Sequence, residues 1–440
     1  MNNENLTVVR GDILHLLDDP SKVQAATGSE DASYEFFEDG LLIIESGLIK
    51  AVGSAEALLP TLPADVEIQH YPKHLITPGF VDTHIHFPQT EMIGSYGEQL
   101  LEWLNTYTFP TEKQFSDETF AAARAEFFLN QLLSNGTTTA LVFGSVHAQS
   151  VDAFFQQAEQ LKLRMICGKV LMDRNAPDYL TDTAESGYQE SKKLIEKWHG
   201  RDRLQYAITP RFAPTCSKEQ LTRAGELLQE HPGVYMQTHL SENEKEVAWV
   251  KELFPDAEHY LDAYDHANLL GKRSVFAHCI HLCDHEYDRL AESQSNISFC
   301  PTSNLFLGSC LFDLKRAERH DVSVGLGTDV GAGTSFSLLQ TLNEAYKVQQ
   351  LRGDKLTPLK SFYLATLAGA KALDIDDKIG NFQPGKEADF VALDYNATPL
   401  LSLRMQHCQS IVDKLFAFAI LGDDRAIAAT HILGKKVHSR

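Results

Sequence analysis

Through the middle of this 440-residue chain, short apolar runs rich in Val, Ile, Phe and Thr alternate with longer segments whose apolar positions recur at helical spacing. The strand-like runs are LITPGFVDTHIHF, TTTALVFGSV, RMICGKVLM, LQYAITPRFAP, VYMQTHLS, SVFAHCIHL, ISFCPTSN and VSVGLGTDV. Segments such as DETFAAARAEFFLNQLLSNG and SKEQLTRAGELLQEHPG lie between them. Eight such runs alternating with helices predict a parallel (β/α)8 barrel of the TIM type. The second of those segments carries its own boundaries, with Ser217 as N-cap, Gln220 at the capping-box position and a Pro-Gly stop.

The two ends have a different texture. LTVVRGDILHLL, GLLIIESGLIKAVG and VEIQHYP near the start, and ADFVALDY, KLFAFAIL and IAATHILGKKVHS near the finish, read as short strands separated by turns. The expected organisation is therefore α/β. Residues 1–75 and 386–440 supply the N- and C-terminal parts of one small β-sandwich domain, flanking a barrel of residues 76–385. No helix of any length is expected before residue 75.

Composition narrows the function. With 60 acidic against 39 basic residues the formal charge is −21, which argues against nucleic acid or an acidic membrane surface as partner, since phosphate binding needs clustered Lys and Arg. No uncharged apolar run reaches the roughly 18 residues of a membrane span. The start of the chain lacks the basic stretch and long apolar core of an export signal. The seven cysteines are odd in number, lack the spacing of a disulfide framework and read as buried thiols in a reducing compartment. A cytoplasmic protein acting on a small neutral substrate is expected.

Candidate chemistry gathers where the strand-like runs end. His84 and His86 flank Ile85, so on a strand both imidazoles point to one side, although a single His-x-His pair is equally well two partly buried histidines. His239 ends VYMQT, His278 ends SVFA and Asp329 ends SVGLGT. In a barrel these ends meet at one rim, and three imidazoles with a carboxylate suit Zn²⁺ while leaving a position for water. Taken singly each has a plainer explanation: His239 and His278 satisfied by backbone carbonyls, Asp329 a helix N-cap. Glu242, three residues past His239, is placed to lean over the pocket and carry protons, or else is a solvated or helix-capping residue within the run ENEKE.

PGFVDTHIHFPQ, EQLLEWLNTYTFPTE, PRFAPTCS, THLSEN, FAHCIHL, CPTSNLFLGS and GLGTDVGAGTSFS, spread over most of the chain, resemble the guanine deaminases of the amidohydrolase superfamily. The barrel-end residues carry the superfamily likeness. HFPQ, the Trp-Leu tract and the Pro-Arg-Phe of the fourth strand carry the narrower one. The resemblance implies that His84, His86, His239 and Asp329 bind one zinc ion and that His278 lies beside it as a catalytic hydrogen-bonding partner. It implies too that Gln89 and Arg211 read the edge of guanine and that Phe212 walls its face, as amide, guanidinium and aromatic groups are suited to do. The implied reaction is hydrolysis of guanine to xanthine and ammonia. Asp329 accepts a proton from the attacking water, Glu242 protonates the ring nitrogen beside C2 and then serves the departing amine, and His278 steadies the oxyanion. A homodimer is implied as well. Cys310 departs from the family, which usually has Gly there, and a Cβ would matter if the backbone needs φ > 0.

The same ligands would serve a deaminase of another purine, a pterin, cytosine or a triazine. A two-metal ring hydrolase with a carboxylated Lys is disfavoured, because LQYAITPRFAP contains no Lys and Lys169 belongs to the run before it. A non-catalytic scaffold on this fold need not keep every ligand position filled. GNFQPGKE has the spacing of a phosphate loop, but Glu387 stands where Ser or Thr is needed; in GLGTDVG the third Gly comes one place late for a dinucleotide fingerprint.

Overall fold

The β-branched runs at the start of the chain form β1 (Leu6–Leu16), β2 (Tyr34–Glu45), β3 (Leu48–Ser54) and β4 (Ile68–Pro78) in the computed structural model, which describes residues 6–96 and 99–440. β4 runs through Gly79 directly into the first barrel strand, β5 (Phe80–His86). A Cβ at Gly79 would lie 2.2 Å from the Thr138 hydroxyl, so this junction needs glycine. The remaining barrel strands are β6 (Thr137–Phe143), β7 (Arg164–Gly168) with its short continuation β8 (Val170–Leu171), β9 (Gln205–Pro210), β10 (Tyr235–Leu240), β11 (Ser274–His278), β12 (Asn296–Phe299) and β13 (Ser323–Leu326). All pair in parallel in chain order. β5 and β6 are buried at every position, which is why they read as nearly continuous apolar runs rather than alternating ones.

The barrel closes where the chain after β13 meets β5. The Asp329 N–H donates to the His84 carbonyl and the His86 N–H to the Val330 carbonyl, each at 2.9 Å. The Thr83 and Ser298 hydroxyls meet at 2.6 Å across the interior. Late in the chain β14 (Phe390–Asp394), β15 (Ile427–Ile432) and β16 (Lys435–Ser439) join the N-terminal strands in one seven-stranded mixed sheet, ordered β16-β15-β14-β4-β1-β2-β3. The fold is thus a (β/α)8 barrel of TIM type flanked by a small β-sandwich domain made from both chain termini.

Local signals act where the sequence places them, with one variation. Ser217 caps the helix Lys218–Glu230 by accepting the Gln220 N–H at 3.0 Å. The Gln220 amide does not return to Ser217; it donates to Asp182 at 2.6 Å, while Asp173 accepts the Ser217 N–H.

Three expectations are corrected. KLFAFAIL is not a strand but most of the helix Ile411–Leu421, started by a reciprocal Ser410–Asp413 capping box. The N-terminal region does hold a helix, Pro20–Thr27, which Asp19 caps by accepting the Ser21 N–H at 2.9 Å. The seven cysteines are free thiols, but only Cys167, Cys216, Cys279 and Cys300 are buried; Cys310 is exposed and Cys283 and Cys408 are half-buried. Among the described residues no helix is long and apolar enough to cross a membrane.

Candidate active site

The C-terminal ends of the barrel strands bring the predicted ligands to one point. His84 and His86 leave β5, His239 leaves β10 and Asp329 follows β13, and their donor atoms all lie within 4.8 Å of one another. The Nε2 atoms of His84 and His86 are 3.3 Å apart, those of His86 and His239 are 3.2 Å apart, and Asp329 Oδ1 is 3.2 Å from both His84 and His86. Separations of this size are what ligands at about 2.0–2.2 Å from one ion produce. His239 Nδ1 donates to the Arg211 carbonyl at 2.6 Å, which leaves Nε2 as the lone-pair nitrogen facing the centre.

The electrostatics agree with a metal site. Burial pushes His86 down to about 4 and His239 well below the usual imidazole range, so both are neutral at pH 7, the form in which an imidazole can hold a cation. Burial alone would raise the Asp329 carboxyl, but the imidazoles of His84, His86 and His278 outweigh it and hold the group ionised. Phe143 closes the site from below, with its ring 4.6–5.0 Å from those of His84, His86 and His239.

Two further groups face this centre without joining the ligand set. Asn304 Nδ2 donates to His278 Nδ1 at 2.9 Å, so His278 presents an Nε2–H, 3.5 Å from Glu242 and 3.8 Å from Asp329. Burial pushes His278 down to about 3, which keeps it a neutral donor. Burial, and then the charges of Asp329 and Glu246, drive the Glu242 carboxyl well above its ordinary range, so it holds its proton where an exposed carboxyl would have lost it. Several of these positions hold unusual backbone: Ser241, His278 and Asp329 lie at φ 49°, 72° and 52°. Left-handed conformations at non-glycine residues are costly, and their clustering here marks a rim whose geometry the surrounding barrel imposes.

Gln89, Arg211 and Phe212 line the same cavity, beside His86, His239, Glu242, His278 and Asp329. The sequence reading missed the group that organises them. Glu112, fully buried, accepts from Arg211 Nη1 at 2.8 and 3.1 Å and from Gln89 Nε2 at 3.2 Å, while Gln89 Oε1 accepts the Gly331 N–H at 3.2 Å. Glu112 lies at the end of the EQLLEWLNTYTFPTE tract, whose Leu100, Trp103 and Leu104 form an apolar wall of the cavity. Asp82 is a second omission. Burial pushes its carboxyl up to about 7, and it accepts from the Thr328 hydroxyl at 2.5 Å and from the Thr328 and His84 N–H groups at 3.1 Å, tying β5 to the Asp329 loop. Cys310 lies at φ 131°, a conformation that favours glycine, and is exposed.

Comparison with known proteins follows the same lines. The model of the amidohydrolase family matches residues 75–437. The chain is 56% identical to the guanine deaminase of Escherichia coli K12 over 438 residues, covering 99% of this chain and 98% of that protein. The solved structure of E. coli guanine deaminase superimposes with a TM-score of 0.95 at 54% identity, over 99% of this chain and all of that one. A guanine deaminase from C. acetobutylicum, solved with guanine in its active site, superimposes at 0.88 with 28% identity, again over 99% and 100% of the two chains. The chain belongs to the amidohydrolase family and, within it, to the guanine deaminases.

Proposed function

We propose that this chain converts guanine and water to xanthine and ammonia, with one zinc ion per chain held by His84, His86, His239 and Asp329. The observation that carries the proposal is the meeting of four donor atoms within 4.8 Å beside a buried carboxyl, Glu242, that is not one of them. Bound there, zinc supplies a Lewis acid that makes water nucleophilic at neutral pH.

The chain's own residues do the rest. Asp329, ionised and 3.8 Å from His278 Nε2, accepts the proton that water gives up as it attacks C2. Glu242 delivers its proton to the ring nitrogen beside C2, takes up the proton of the hydroxyl formed there as the carbonyl closes and passes it to the departing amine, after which the proton held by Asp329 restores the Glu242 carboxyl; the task suits a group whose proton is held by burial. His278, kept neutral with its Nε2–H turned inward by Asn304, donates to the oxygen that gains charge at C2.

Substrate choice rests on the edge away from C2. Glu112 fixes Arg211 through one nitrogen, leaving further guanidinium N–H groups for ring acceptors, and guanine's O6 and N7 are the paired acceptors that Arg matches best. Gln89 reads beside it, and Phe212 with Trp103 supplies apolar walls. The barrel of residues 76–385 carries this chemistry and the segments 1–75 and 386–440 flank it. A homodimer, on the strength of the family resemblance, and a cytoplasmic setting, in keeping with the free thiols, complete the proposal. The test is ammonia and xanthine release from guanine, run against a panel of aminated purines, pterins, pyrimidines and triazines. Preference for a different ring overturns the substrate assignment.

A further inference from the structure

We propose that His259, Cys283 and Glu286 form a second cation site on the barrel rim, suited to a borderline-soft divalent metal such as Zn²⁺, whose filling lowers turnover through the segment that carries Glu242. The three donor atoms lie within 4.8 Å of one another. Imidazole, thiolate and carboxylate together are the donor set that zinc takes, at about 2.0–2.3 Å. None of these residues belongs to the catalytic cavity.

Local structure prepares each donor. Cys283 is the N-cap of the helix Asp284–Glu292 and its Sγ accepts the Glu286 N–H; burial, and then the Glu286 charge, hold the thiol above its ordinary range, so a bound cation is what would draw off its proton. Glu286 is held rigidly: one carboxylate oxygen accepts the Cys283 N–H at 2.9 Å and the other the Leu261 N–H at 3.2 Å, which leaves each a further lone pair. His259 and Cys283 are half-buried. All three line one cavity. Ser241 lines the same cavity, is almost wholly buried, and its hydroxyl has no hydrogen-bond partner among the described residues. A buried hydroxyl with nothing to bond is costly, and an ion or the water it carries would satisfy it.

The connection to catalysis is short. Tyr260, next to His259, donates its hydroxyl to Glu246 Oε1 at 2.7 Å. Glu246 Oε2 in turn accepts the N–H groups of Glu242 at 2.8 Å and Asn243 at 3.1 Å. Ser241 immediately precedes Glu242, and its carbonyl accepts the N–H groups of Ile280 and His281. A cation that draws on His259 and Ser241 therefore displaces Glu242 from both sides while leaving the first site's ligands alone.

The experiment starts from protein loaded with one zinc and adds Zn²⁺, following bound metal and guanine turnover together; Cd²⁺ added to metal-free protein reports sulfur ligation by its thiolate absorption. The wild type is expected to take one further zinc and to lose turnover as it does so. Cys283→Ser and His259→Asn should keep the first zinc and full turnover, refuse the second, and resist inhibition. The thiolate band should vanish in Cys283→Ser and persist in Cys310→Ser; the four donors of the first site contain no sulfur, so the band is independent of the guanine assignment. Failure of the wild type to take a second zinc, retention of it by both variants, or turnover indifferent to it overturns the proposal.

Discussion

Replacing Glu112 with Gln removes one charge from the group that holds Arg211 and Gln89. Both Glu112 and Arg211 are about 98–99% buried, so no solvent stands ready to replace the lost partner. The carboxylate accepts three bonds, two from Arg211 and one from Gln89. The amide keeps one acceptor oxygen and turns an NH₂ toward a guanidinium, so at least one charge-assisted bond is lost, worth about 1.5–3 kcal/mol. If that loss falls on the positioning of the base in the transition state, kcat/KM for guanine drops roughly ten- to a hundred-fold. The assay is xanthine formation followed by absorbance, with metal content and thermal unfolding measured on the same sample. Zinc should stay, because Glu112 touches none of the four ligands, while the melting temperature falls. A folded, metal-loaded Glu112→Gln enzyme with kcat/KM unchanged would refute the reasoning, and Glu112 would be a structural ion-pair partner only.

Glu242→Gln should keep the metal and lose turnover by roughly 10²- to 10⁴-fold, the usual worth of a positioned acid–base group; undiminished deamination removes Glu242 from the mechanism. The same variant makes a stability prediction for metal-free protein. Burial raises the Glu242 carboxyl above its unfolded value, so between those two values the folded state holds a proton that the unfolded state does not, and stability falls as pH rises through that window. Glu242→Gln should therefore be more stable than wild type at neutral pH, with the gap closing as pH falls toward the ordinary carboxylate range; unfolding curves that coincide at every pH contradict this. Cys310→Gly should raise stability by about 1 kcal/mol, relief of about 1–3 kcal/mol of backbone strain at φ 131° less about 0.4–1 kcal/mol of chain entropy, with turnover unchanged in the same assay.

The barrel and the cluster of His and Asp at its rim were legible because both are written locally. Buried parallel strands leave continuous apolar runs, and the rim rule puts His84, His86, His239 and Asp329 at the ends of theirs. The helix Ile411–Leu421 was misread because a short apolar run has no decisive period; the Ser410–Asp413 capping box was the signal that could have corrected it. Glu112 and Asp82 were not legible at all. Each acts on residues brought close only by the closed barrel, Arg211 lying 99 positions from Glu112 and Thr328 lying 246 positions from Asp82. An isolated acidic residue gives no sign of such partners. Cys310 stands between these cases, since the departure from glycine was visible but the positive φ that gives it meaning was not.

The central claim, that three imidazoles and one carboxylate hold a single cation beside Glu242, is tested most directly by titrating metal-free protein with Zn²⁺ while following guanine turnover. The account predicts that metal-free protein is inactive and that turnover rises linearly to a break at one zinc per chain, with His239→Asn showing neither the break nor the activity. Full turnover without metal, or a rise that ends only at two zinc ions per chain, would contradict it.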